Sequence, residues 1–208
     1  MLEGPDQKAN PFVITHESGL APGDPLVRAV PHGFTTDEFA QLRALLDEQS
    51  FEGRIAQGEE ADDELAPHRR SQIRMLKPID YEWVCAKLWP SVLKLNEKYR
   101  FDILAIGELQ LAYYDENNAG FYNWHMDVDA GRLSRKITLS ILLNDPADYD
   151  GGDVQFNTGG NTEEVTQTAI RSQTHMVAFP PFVLHRVTPV TRGRRYVMIA
   201  WIHGNDWR

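Results

Sequence analysis

Beyond Phe101 the chain breaks into short apolar or alternating runs of strand length, and this pattern limits the possible folds more than any other feature. The runs cover 103–114, 136–143, 153–157, 166–170, 175–179, 183–187 and 195–203. Residues that favour turns separate them, at 115–120, 145–152, 159–160 and 191–193. Short strands at this spacing, with no helical period between them, argue against βαβ units. They predict a mostly antiparallel two-layer barrel, for which a jelly roll is the natural candidate at this strand count.

Helices are expected only in the first half. Thr35 or Thr36 suits an N-cap, followed by Glu38 and by Phe39, Leu42, Leu45 and Leu46 at helical spacing, with an end near Ser50. Residues 71–76 suit a strand. Residues 81–99 suit a helix with Trp83, Leu88, Val92 and Leu95 as core candidates and Pro90 as the place for a kink. Residues 1–30 read as an irregular lead-in, and the acidic stretch 58–67 as a solvated loop. The expected fold class is mainly β with N-terminal helices. An irregular and helical support region, 1–105, would pack on a core domain at 106–204.

Composition narrows the function classes. A chain that is 42% hydrophobic, with 5 Trp, 7 Tyr and 9 Phe, can build a real core and is neither disordered nor a coiled coil. Net charge is −9, which makes a poor non-specific surface for nucleic acid or anionic membrane. Neither is expected as a partner, and no apolar run approaches the length that spans a bilayer. Cys85 is the only cysteine, so an internal disulfide and a Cys-rich zinc site are excluded. A reducing cytoplasm is the expected location. The first ten residues carry no basic start followed by an apolar run, so no secretory signal is expected.

The main chemical signal is His125-Met126-Asp127. On an extended segment residues two apart project to one side, so an imidazole nitrogen and a carboxylate oxygen can converge on one point. His185, inside the apolar run 182–187, is the candidate third ligand. Two His and one carboxylate occupy one face of an octahedral metal and leave three positions open, the arrangement of non-haem Fe(II) oxygenases. Arg195 shares a strand face with Val197, Ile199 and Trp201, an apolar and therefore inward face. A buried guanidinium needs an anion. An internal salt bridge is one answer, and a dicarboxylate cosubstrate reaching from the metal is the other. A hairpin through 191–194 would set the strand of His185 beside that of Arg195.

These residues sit in ordered blocks that resemble a known family. The blocks are Leu109-Gln110-Leu111-Ala112-Tyr113-Tyr114, the run from Gly120 to Asp127, Arg135-Lys136-Ile137-Thr138-Leu139-Ser140, and Leu143-Asn144-Asp145. They continue through Tyr149 to Phe156, Phe179-Pro180, the run from His185 to Val190, Gly193, Arg195-Tyr196 and Ala200-Trp201. The chain resembles the iron(II)- and 2-oxoglutarate-dependent dioxygenases, in particular the prolyl 4-hydroxylase-like branch and its bacterial PKHD-type hydroxylases. The resemblance covers about residues 106–204 and implies a double-stranded β-helix, the cupin-like jelly roll. It implies His125, Asp127 and His185 as iron ligands and Arg195 as the partner of the far carboxylate of 2-oxoglutarate. It also implies a cosubstrate-holding tyrosine among Tyr113, Tyr114 and Tyr122, of which Tyr113 is preferred. O₂ and 2-oxoglutarate would be cosubstrates, with ascorbate a candidate reductant. The expected reaction is hydroxylation of an aliphatic C–H in a prolyl or other amino-acid side chain, peptidyl or free, with release of succinate and CO₂. Halogenating relatives lack the carboxylate that Asp127 supplies. The alternatives are a nucleic-acid dealkylase and a non-catalytic small-molecule-binding jelly roll. Dealkylases carry a further Arg where this chain has Trp201. Substrate choice is expected to lie in loops 53–67 and 157–166, which carry no readable code, and oligomeric state is left open.

Overall fold

A computed structural model describes residues 25–53, 68–159 and 165–207. In chain order the elements are β1 (Arg28–Pro31), α1 (Thr36–Glu48), β2 (Phe51–Glu52), β3 (Arg69–Arg70), β4 (Gln72–Leu76) and α2 (Glu82–Tyr99). There follow β5 (Ala105–Asp115), β6 (Phe121–His125), β7 (Arg135–Leu142), β8 (Tyr149–Gly151) and β9 (Val154–Asn157). The last are β10 (Gln167–Thr168), β11 (His175–Phe179), β12 (Leu184–Val187) and β13 (Val190–His203). The acidic stretch 58–67 and residues 160–164 lie outside the described residues. Among the described residues no helix is long and apolar enough to cross a membrane.

Helix α1 starts where its local chemistry says it should. Thr35 Oγ1 accepts the Glu38 N–H at 3.3 Å, and Glu38 Oε2 accepts the Thr35 N–H at 2.8 Å, so two otherwise orphaned donors are satisfied. In α2 the buried stripe is Val84, Leu88, Val92, Leu95 and Tyr99. Trp83 departs from its expected core position. It sits one residue out of that helical phase, is 36% exposed, and meets Phe34 edge-on.

The strands form two antiparallel sheets. The larger runs β1-β11-β7-β13-β5-β4-β2, with β8 pairing along the first part of β13; the smaller runs β10-β9-β12-β6-β3. The larger sheet shows why strand parity matters here. Leu109 and Leu111 of β5, Ile137, Leu139 and Ile141 of β7, and Met198, Ala200 and Ile202 of β13 point outward and bury against the two helices. The alternate positions point inward toward the smaller sheet, where Ala112, Phe156, Phe179, Val183 and Val197 form a second core. Beside it the two sheets enclose a cavity of about 270 Å³.

Three expectations are revised. No hairpin joins the strand of His185 to that of Arg195: β12 belongs to the smaller sheet and β13 to the larger. The turn-like residues 191–194 lie inside β13. Gly193 there has φ +69°, and a Cβ would fall 2.1 Å from the Asp148 carbonyl oxygen, so only glycine lets the strand pass this close to the loop before β8. Residues 28–31, which overlap the end of the expected irregular lead-in 1–30, form β1 at the sheet edge against β11. The segment before residue 105 supplies strands to both sheets, with β3 pairing β6 and β4 pairing β5.

Candidate functional site

His125 ends β6 and Asp127 follows it, while His185 sits on the adjacent β12, directly opposite His125 in the register. Each imidazole is oriented by a backbone carbonyl two residues earlier. His125 Nδ1 donates to Asn123 O at 2.8 Å and His185 Nδ1 donates to Val183 O at 2.9 Å. That places a proton on each Nδ1 and turns both Nε2 atoms inward. His125 Nε2 lies 3.7 Å from Asp127 Oδ1, and His185 Nε2 lies 3.7 Å from Asp127 Oδ2. The three donor atoms all lie within 4.8 Å of one another. Donors bound at about 2.0–2.2 Å to one ion stand about 3–4 Å apart, so this set fits a metal with small adjustments.

The surroundings hold that set in place. Asp127 accepts the Thr138 hydroxyl at Oδ2 (2.8 Å), its N–H donates to Pro181 O (2.8 Å), and its carbonyl accepts Arg135 Nη1 (3.0 Å). Burial would raise its carboxyl, but His185, His125 and Thr138 outweigh that and hold it below the ordinary carboxylate value. Burial, with the neighbouring His185, holds the His125 imidazole down to about 3, so it is neutral at physiological pH. Tyr122 stacks on His125 with ring centroids 3.4 Å apart. Arg135 is paired with Glu108 and lies 3.9 Å over the Trp201 ring. His203 and Arg135 hold the Glu108 carboxyl down to about 2 against its partial burial.

Arg195 reaches the same cavity from β13, and with 5% exposure it is buried. Its cross-strand partner is Tyr114, whose ring lies 5.7 Å from the guanidinium carbon. Gly152 makes room for its stem, since a Cβ there would fall 2.9 Å from Arg195 Cδ. Among the described residues no carboxylate pairs with Arg195. The internal salt bridge weighed above is therefore absent among them.

Tyr113 requires a correction. It lies on the outward face with Leu109 and Leu111, packs against Tyr196 at 5.6 Å, and is covered by Arg194 at 4.3 Å. It does not line the cavity, whereas Tyr114 and Tyr122 do. Parity along β5 carries the signal for this, because Tyr114 shares its face with Glu108 and Gln110. Thr138 and Ser140 also face the cavity. Sequence reasoning missed Arg69, which comes from β3, more than fifty residues before His125, and joins the wall through the β3–β6 pairing. Nothing local in the sequence marks it. Most of the two loops expected to govern substrate choice, 54–67 and 160–164, lies outside the described residues.

The profile of the 2OG-Fe(II) oxygenase superfamily matches residues 109–203, a span that contains His125, Asp127, His185 and Arg195. That span is just under half of the chain, and it makes the segment similar to the superfamily. Among the proteins this chain is similar to, a PKHD-type hydroxylase of Hyphomonas neptunium is 41% identical over 71 residues, covering 34% of this chain and 30% of that protein. That match thus spans under a third of that relative's length. A PKHD-type hydroxylase of Cupriavidus metallidurans is 26% identical over 184 residues, covering 83% of this chain and 75% of that one. A crystal structure of a Pseudomonas putida prolyl-4-hydroxylase superposes with a TM-score of 0.65 at 19% identity, covering 86% of this chain and 93% of that one. The likeness establishes the jelly-roll fold of this chain.

Proposed function

We propose that this chain is an Fe(II)- and 2-oxoglutarate-dependent dioxygenase that hydroxylates an aliphatic C–H, in a prolyl or other amino-acid side chain, peptidyl or free. The observation that carries the proposal is one cavity with two different tools in it. One is the His125, Asp127 and His185 donor set; the other is a buried Arg195 with no carboxylate partner among the described residues. A zinc hydrolase would use the first and have no use for the second.

In this reading His125 Nε2, Asp127 Oδ1 and His185 Nε2 hold the ferrous ion, and Thr138 keeps the other carboxylate oxygen occupied so that Asp127 presents a single donor. The ion with its cosubstrate supplies the oxidising chemistry when bound. Arg195 grips the far carboxylate of 2-oxoglutarate and sets its orientation, with the Tyr114 hydroxyl beside it on the neighbouring strand. Ile199, Val197 and Phe179 give the wall its apolar part and exclude water from the reacting carbon. The single cysteine fits a reducing compartment, and the proposal extends to a cytoplasmic enzyme.

The test is anaerobic addition of Fe(II) and 2-oxoglutarate, followed by O₂ with succinate measured. The expected results are a visible charge-transfer band that His185→Ala and Asp127→Ala abolish, and succinate formed only by the unaltered chain. Absence of the band in the unaltered chain would refute the proposal.

A further inference from the structure

Beside Arg195 and the Glu108-paired Arg135, Arg69 is a third buried guanidinium in the cavity wall, with 8% exposure, and the reading above gives it no task. It is built in from four sides. Its Nε donates to Ser71 Oγ at 2.7 Å and its Nη2 to Gln110 Oε1 at 2.9 Å, and its plane lies 4.6 Å from the Tyr122 ring centre. Behind it Gly53 leaves the necessary space, since a Cβ there would fall 2.9 Å from Arg69 Nε and 2.5 Å from Ser71 Oγ. Both hydrogen-bond partners are neutral. A guanidinium has five N–H donors, so three of them have no acceptor among the described residues.

Charge balance says what they await. Arg69, Arg132, Arg135 and Arg195 line the cavity, against Glu108 and Asp127. Arg135 is paired with Glu108 and Arg132 with Asp129. A divalent metal and a dianionic cosubstrate cancel each other, and Asp127 and Arg195 do the same. One positive charge, that of Arg69, is left over in a site where an unbalanced charge is costly. Its position fixes the distance. The guanidinium stacks on Tyr122, and Tyr122 stacks on His125, so it lies within about 8 Å of the His125 ring, or about two residues of extended chain.

We infer that Arg69 is the specificity-determining anchor for a carboxylate on the substrate, and that the substrate is a free amino acid or a chain-terminal residue rather than a residue inside a peptide. This rests on the function proposed above and names its substrate class. The free N–H groups of Arg69 bind the carboxylate in a fork, and Ser71, Gln110 and Tyr122 hold the guanidinium plane for it.

The experiment compares matched acids and amides. The chain is loaded with Fe(II) and saturating 2-oxoglutarate under argon. It is then titrated with a panel of N-acetyl-L-amino acids, proline included, and the corresponding N-acetyl amino-acid amides. Tryptophan fluorescence reports binding without turnover, and admission of O₂ then allows succinate release to be read. The expected result is that at least one acid binds about 10- to 100-fold more tightly than its amide. Arg69→Gln should bring that ratio to within about twofold, and Arg69→Lys should keep part of it. Gly53→Ala, which touches no substrate, should also lower the ratio by pushing the guanidinium out of place. A misfolded variant loses acid and amide alike and leaves no ratio, which is why the Lys and Ala variants are included. If no acid outbinds its amide, the case in which nothing binds included, or if Arg69→Gln keeps the ratio, the inference is wrong. Acid preference without any succinate would sink the dioxygenase reading and spare Arg69. Succinate release without acid preference would do the reverse.

Discussion

Replacing Arg195 by Met should move stability and cosubstrate binding in opposite directions. In the unliganded chain Arg195 is buried and has no carboxylate partner among the described residues, so its charge is desolvated without compensation. Methionine keeps much of the stem volume beside Gly152 and removes the charge. Replacing a buried charge by an apolar side chain of similar size is neutral to stabilising by about 1–4 kcal/mol. At about 2–4 °C per kcal/mol for a chain of this size, a gain of about 1–2 kcal/mol raises the melting temperature by about 2–8 °C. With 2-oxoglutarate the sign reverses. A forked bond to a carboxylate is worth about 1.5–3 kcal/mol for each charged hydrogen bond. Losing about 3 kcal/mol weakens the cosubstrate by about 100-fold. Thermal melts of the metal-free chain and an anaerobic titration of 2-oxoglutarate into the iron-loaded chain read the two effects separately. A variant that melts well below the unaltered chain would mean that Arg195 is a structural ion-pair partner. Unchanged 2-oxoglutarate affinity would mean that another group anchors it.

Three further outcomes are expected. Thr138→Val leaves Asp127 Oδ2 without its 2.8 Å donor and should weaken iron about 10- to 100-fold, with little change in the metal-free melt; competition against a chelator measures it, and unchanged affinity would remove Thr138 as a positioning residue. Tyr114→Phe should raise the 2-oxoglutarate concentration needed for half-maximal succinate release several-fold while Tyr113→Phe leaves it unchanged; the opposite ranking would restore the original preference for Tyr113. Glu108 titrates at about 2 in the fold against an ordinary value of 4.5, so its contribution to stability is complete above 4.5 and is lost as the pH falls toward 2. Glu108→Gln should therefore destabilise at pH 7 and converge on the unaltered chain near pH 2. A gap of constant size in urea melts across that range would contradict the assignment.

Much of this arrangement can be read before any folding is considered. Period-two alternation marks the strands. The capping box of Thr35 and Glu38 marks the start of α1, and the run of Arg195, Val197, Ile199 and Trp201 gives that strand its inward face. Each is local: it depends on the geometry of a few consecutive residues, and a chain carries that geometry with it. The same parity, counted along β5, would have chosen Tyr114 over Tyr113, because Leu109 and Leu111 already claim the outward face.

Other features belong to the tertiary structure alone. That His185 and Arg195 stand in different sheets, ten residues apart, follows from which strands pair, and pairing is decided by the whole set of competing long-range contacts. Gly193 looks like a turn residue and serves as a close-approach point inside a strand. Arg69 looks like one of many surface arginines, and only the pairing of β3 with β6 carries it into the cavity behind Tyr122. Local sequence states which way a side chain points from its own backbone, but it cannot state what lies on the other side, because that neighbour arrives from a distant part of the chain.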